Sequence, residues 1–267
     1  MISIKKLLTI LATLAVVFVL LPLAALYFAQ ERLLFRPAVL AQNYAFRFAR
    51  PFEEIRLPAA DGTVLHGLHF AADAPAKGRL LFFHGNAGAL DSWGEVAERF
   101  AALGYESYVF DYRGYGKSGG QIDNQDQLYA DAERMAEYVR AQGEGRLVVV
   151  GFSLGSGLAA RTAQQYRADS LLLAAPYEGL AVLQQEKVPF VPPFLIKYRI
   201  PSAEFLRAAA HTRITLVHGR QDTLIPVEHS RRLAALLKQG DAAFETDAGH
   251  NTLLADPLFW RVAAERL

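Results

Sequence analysis

The chain has 267 residues, of which 52% are hydrophobic and 21% charged, and its formal net charge is +1. A large core is therefore available, and the near-neutral balance lacks the clustered basic excess that nucleic acid or an acidic surface would require, so no nucleic-acid partner is expected. The absence of cysteine excludes disulfides, a thiol nucleophile and cysteine metal sites.

Lys5 and Lys6 precede an apolar run, residues 7–29, that contains no charge. At 1.5 Å per residue a run of about 23 residues reaches roughly 34 Å, enough to cross a bilayer core. It ends Ala25-Leu-Tyr-Phe-Ala29, a poor processing sequence, so an uncleaved signal anchor is favoured over a removed leader. Pro22 is a candidate kink, and Tyr27 and Phe28 are placed at the far interface. The two lysines put the N-terminus in the cytoplasm and the rest of the chain on the outer side, although Arg32 and Arg36 partly offset them. Residues 30–50, mixed and aromatic, read as a connector, and residues 51–267 as one catalytic domain.

In that domain, residues 52–58 and 63–70 alternate in polarity across Asp61-Gly62, which predicts an antiparallel hairpin. His66 and His69 fall on opposite faces of its second strand and are read as structural. Strands and helices then alternate. Strands are expected at 79–83, 106–110, 147–150, 170–174, 214–217 and 243–246, and helices at 92–103, 124–141, 156–166, 226–238 and from 257. This is the α/β pattern of a mostly parallel sheet of about eight strands with helices on both faces, which carries its reactive groups beyond the C-terminal strand ends.

One such end reads Gly151-Phe-Ser-Leu-Gly155. A serine at the tip of so tight a strand-to-helix turn needs neighbours without bulk, and Gly151 and Gly155 around Ser153 supply them in the G-x-S-x-G arrangement. A serine hydroxyl needs a base. His250, in Asp247-Ala-Gly-His-Asn251 after the last strand, is the candidate; His84 and His218 occupy other strand ends, and His211 and His229 read as surface or capping residues. Asp222, in His218-Gly-Arg-Gln-Asp222, is the candidate to orient the imidazole, with helix capping as its bland alternative. Asp247 and Asp256 are rival acids, too near His250 in sequence to reach its far nitrogen naturally. The backbone N–H groups of Leu154 and of Asn86, in His84-Gly-Asn-Ala-Gly88, are the candidate oxyanion donors. His84 is read as a brace for that loop.

Together with Asp111-Tyr-Arg-Gly-Tyr-Gly-Lys-Ser118, a turn expected to be pinned by Arg113, these motifs resemble the α/β-hydrolase superfamily. With the N-terminal run and Phe35-Arg-Pro37, they look like its membrane-tethered α/β-hydrolase-domain branch, which includes protein depalmitoylases and lysophospholipid hydrolases. The resemblance implies serine acyl hydrolysis of esters or thioesters without metal or cofactor, by a Ser153–Asp222–His250 triad, with the lipid bilayer as partner through the first helix. An aminopeptidase of the same fold and a non-catalytic tethered scaffold are the alternatives. Residues 178–213 form only a modest insert where many relatives carry a large lid. Its Lys187-Val-Pro-Phe-Val-Pro-Pro-Phe-Leu-Ile196 stretch reads as an acyl-chain groove, a membrane-facing lip or an ordinary packed connection.

Overall fold

A computed structural model describes residues 3–73 and 75–267, with the backbone alone for residues 7, 12 and 15. Eight strands form one sheet: β1 (Phe52–Pro58), β2 (Val64–Phe70), β3 (Arg79–Phe83), β4 (Glu106–Phe110), β5 (Leu147–Phe152), β6 (Ser170–Ala174), β7 (Arg213–Gly219) and β8 (Ala242–Thr246). Their order across the sheet is β8-β7-β6-β5-β3-β4-β2-β1. The β1–β2 hairpin is antiparallel and β2 meets β4 antiparallel; the remaining pairs are parallel. The strands β3, β5 and β6 are buried at every residue, as strands covered on both faces must be, which explains their unbroken apolar runs.

The helices are α1 (Ile4–Leu34), α2 (Leu90–Ala102), α3 (Gln125–Ala141), α4 (Leu154–Tyr166), α5 (Leu180–Lys187), α6 (Ser202–Ala208), α7 (Glu228–Ala234) and α8 (Pro257–Arg266). One apolar cluster lies on the face covered by α3, α4 and α6 (Leu81, Met135, Leu158, Leu206). The other lies on the face covered by α2 and α8 (Leu80, Phe100, Phe259). Capping follows the chemistry of the sequence. Asn124 accepts from the Gln127 amide at the start of α3, and Asp256 from the Leu258 amide ahead of Pro257 at the start of α8.

Three expectations change in detail. The first helix continues past residue 29 to Leu34, so the stretch 30–34 is helical and the connector begins after it. Pro22 does not break it; the disturbance it causes is a π-helical turn, Val16–Leu20, just before it, where Pro22 offers no N–H to continue the ladder. Tyr27 turns toward the protein, with the Lys197 ammonium 4.4 Å from its ring centre, while Phe28 is 75% exposed. The helix expected at 226–238 is regular only from Glu228 to Ala234.

After α1 the chain pairs Arg36 and Pro37, in parallel, with Ala87 and Gly88. Phe35 and Phe46 are buried, so the connector is packed along the domain. His66 is bonded to Glu54 at 2.8 Å and His69 to Glu106 at 2.6 Å, the structural roles expected of them. Arg113 makes a paired contact with Asp131 (2.6 and 2.8 Å) and reaches Asp61, which pins the Asp111–Ser118 turn.

Candidate active site

Ser153 ends β5 and begins α4 with φ 52° and ψ −120°, a left-handed conformation that a non-glycine residue adopts only under constraint. The two glycines flanking it are required by contact. A β-carbon at Gly151 would stand 2.5 Å from the Gly155 carbonyl oxygen, and one at Gly155 would stand 2.2 Å from the Phe83 carbonyl oxygen. The helix therefore leaves the sheet closer than any side chain allows, and the serine is lifted above the strand ends. The Ser153 amide donates to the Ala174 carbonyl (2.9 Å) and fastens the turn to β6.

Three side chains far apart in the chain meet at that point. The Ser153 Oγ–H donates to His250 Nε2 at 2.9 Å, and His250 Nδ1–H donates to Asp222 Oδ2 at 2.6 Å. All three are buried, so the bonds form out of competition with bulk water. Asp222 also accepts the Leu224 and Ile225 amides on its other oxygen (2.9 and 2.8 Å). It thus closes the local turn, while the helix after it begins at Glu228 with no side-chain cap, and it holds the imidazole at the same time. Burial pushes the Asp222 carboxyl up, but hydrogen bonds from His218, His250 and the Ile225 amide outweigh it and hold the group well below the usual carboxylate range.

The other histidines fall into place behind these. His218 is buried; its Nε2–H donates to the Ile225 carbonyl (2.9 Å) and lies 3.3 Å from Asp222 Oδ2, so it stands beneath the acid and away from the serine. His229 is not a surface residue: it is fully buried and bonded to Glu186 at 3.0 Å. Asp247 pairs with Arg220 at 2.6 Å and Asp256 caps α8, so neither rival acid orients His250.

The loop after β3 approaches the serine from the other side. His84 Nδ1–H donates to the Gly85 carbonyl at 2.7 Å. That carbonyl belongs to the peptide plane carrying the Asn86 N–H, and in a trans peptide the two point in opposite directions, so the imidazole fixes where the amide aims. Burial pushes His84 down to about 4, which keeps it neutral. The Asn86 carbonyl in turn accepts from the Arg36 amide (2.8 Å) and the Tyr115 hydroxyl (2.7 Å). Leu154 is the first residue of α4, where the N–H has no partner within the helix. Asn86, Ser153 and Leu154 all line one cavity of about 610 Å³.

That cavity is where the sequence was least informative. Its walls come from the insert (Leu183, Val188, Val191, Leu195) and from the end of α1 (Leu23, Leu26). The helical spacing of the α1 residues was the available signal, but it lies inside a run that is apolar on every side.

The chain matches a family described as serine aminopeptidase S33 (Hydrolase_4) over residues 74–208. It belongs to that family of α/β-hydrolases. It is 30% identical over 211 residues to the uncharacterized protein Rv2307c of Mycobacterium tuberculosis, covering 77% of this chain and 74% of that one. It is 26% identical over 186 residues to the lysophosphatidylserine lipase ABHD12 of Danio rerio, covering 60% of this chain and 47% of that protein, which fits the α/β-hydrolase-domain branch. The esterase Pf2001 of Pyrococcus furiosus superposes with a TM-score of 0.67 at 22% identity over 87% of this chain and 98% of that one. The chain is thus an α/β-hydrolase, with an N-terminal helix long and apolar enough to cross a membrane.

Proposed function

We propose that this hydrolase is a membrane-anchored serine enzyme cleaving carboxylic esters or thioesters of acyl chains. The observation that carries the reading is the Ser153–His250–Asp222 chain of short hydrogen bonds (2.9 and 2.6 Å) at the edge of an apolar cavity. His250 takes the Ser153 proton as Oγ attacks the acyl carbon, and Asp222 stabilises the imidazolium that forms. The Asn86 and Leu154 amides donate to the oxyanion. His250 then returns the proton to the departing alcohol or thiol, leaving an acyl-serine that water, activated by the same imidazole, hydrolyses. The first helix holds the domain at the bilayer, with its N-terminus cytoplasmic and the domain on the outer side.

An aminopeptidase, which the family description admits, needs a negative group for the substrate's ammonium. Among the described residues no aspartate or glutamate lines the cavity, whereas leucine, valine and isoleucine dominate it. The ester reading is therefore preferred. A fluorophosphonate probe should label the folded chain and lose all labelling in Ser153→Ala. Nitrophenyl esters of increasing chain length should be hydrolysed in preference to an aminoacyl amide. Undiminished labelling of Ser153→Ala would overturn the serine mechanism, and preference for the amide would favour the peptidase.

A further inference from the structure

The cavity beside Ser153 has an outer wall made by the end of α1. Leu23, Leu26, Tyr27, Gln30, Leu33 and Leu34 line it, a spacing of three and four residues that marks a single face of one helix. The opposite face stays open, with Leu21 57% exposed and Phe28 75% exposed. The contact is specific rather than a chance lean. The Gln30 side-chain amide donates to the Leu195 carbonyl (2.8 Å), and its oxygen accepts the Lys197 amide (2.9 Å). Glu31 pairs with Lys197 at 3.1 Å and accepts the Tyr198 hydroxyl at 3.1 Å. At the helix end the Asn86 side chain donates to the Leu34 carbonyl (2.8 Å). The helix is therefore clamped to the insert at Gln30 and Glu31 and to the loop carrying Asn86 at its tip.

This geometry sets a direction. Leu34 lies at the reacting end, against Asn86, and Leu23 lies eleven residues earlier, roughly 16 Å away along the axis. Leu23 and Leu26 fall within the uncharged run, residues 7–29, which is the stretch suited to hydrocarbon, whereas Gln30, Glu31 and Arg32 follow it. The insert presents Phe190 and Phe194, 69% and 75% exposed, next to the cavity-lining Val191 and Leu195. Bare aromatics at that place suit the boundary between lipid and water better than water alone.

We propose that the last three turns of the membrane helix are the outer wall of the acyl-chain site. The substrate is an amphiphilic ester whose tail lies between α1 and the insert, pointing toward the bilayer, while its carbonyl sits at Ser153. The helix then selects chain length as well as tethering the domain. This rests on the serine-hydrolase reading above, and the test separates the two.

The full chain is reconstituted in phosphatidylcholine nanodiscs and assayed with nitrophenyl butyrate and nitrophenyl laurate. Leu26→Trp fills the wall and should lower the laurate-to-butyrate ratio of kcat/KM at least tenfold, while Leu21→Trp, on the open face, leaves the ratio unchanged. An unchanged ratio in Leu26→Trp that still labels with a short fluorophosphonate overturns the wall and leaves the serine chemistry standing. Loss of labelling in the wild type overturns the chemistry itself. The chain has no cysteine, so Leu26→Cys carries a unique thiol and keeps the proposal testable should the tryptophan variant not fold. Dodecyl fluorophosphonate on Ser153 should slow maleimide attack on that thiol at least fivefold relative to the ethyl reagent. Equal rates with the two reagents overturn the proposal.

Discussion

The two sides of the cavity are built by different means. On one side, Ser153 and the loop carrying Asn86 stand at the ends of strands buried at every residue, and His250 follows the half-exposed edge strand β8 and bonds to that serine, so position follows from sheet register. On the other, the wall is a helix end and a short insert held by Gln30, Glu31 and a few backbone groups. The first side fixes atoms to within a hydrogen bond because close-packed strands have no alternative arrangement. The second fixes a shape by a handful of polar ties, so it is the side able to vary without loss of the chemistry. Under the proposed ester hydrolysis, the rigid scaffold carries the reaction and the adjustable wall the selection.

The largest loss is expected on the rigid side. Asp222→Asn keeps the size of the side chain but reverses the His250 tautomer it favours, and should lower kcat about 10⁴-fold with the circular dichroism spectrum unchanged. If the loss is less than tenfold, Asp222 is a turn residue only.

His84 tests what that rigidity costs. Its folded-state value of about 4 lies below the ordinary 6.5, so the unfolded chain binds the proton more readily. Its contribution to stability is complete above pH 6.5 and falls as pH drops toward 4, by about 3 kcal/mol. Burial lowers His66 and His229 as well, and they add to the same slope. Asp222, held low, contributes only in a lower window: its stabilisation is present above about pH 4 and disappears as pH falls below that. Denaturant unfolding of the detergent-solubilised chain between pH 7.5 and 4.5 should show the loss, and His84→Gln should flatten it.

The joint between the two sides is Tyr115, whose hydroxyl donates to the Asn86 carbonyl at 2.7 Å and accepts from the Arg36 amide at 3.2 Å. Tyr115→Phe loosens the oxyanion loop and should lower kcat about tenfold, with KM nearly unchanged, since removing a donor outright costs more. The smallest effect is expected at Arg220→Ala. Its pair with Asp247 is exposed on both partners, so stability should change by less than about 0.5 kcal/mol and activity not at all.

Much of the rigid side could be read from the residues. The strands 79–83, 106–110 and 170–174 have the expected bounds, because buried parallel strands are short apolar runs closed by turn residues. Gly151 and Gly155 declare their own steric role, and the order of Ser153, Asp222 and His250 follows the strands. His229 reads as exposed because a polar residue beside a helix has no visible partner until Glu186, distant in sequence, is brought to it. The extension of α1 to Leu34 was missed for the same reason, since Gln30 and Glu31 look like the start of a polar connector until the insert supplies their partners.

The residues alone carry the elements and the sheet type and offer candidates for the chemistry, because these depend on local pattern: period, small residues at turns, and reactive groups at strand ends. The folded arrangement alone brings His250 to the serine, shows which peptide plane His84 aims, and places the end of the first helix in the cavity wall. Those facts are distances between groups remote along the chain, and they exist only once burial and hydrogen bonding have brought the groups together.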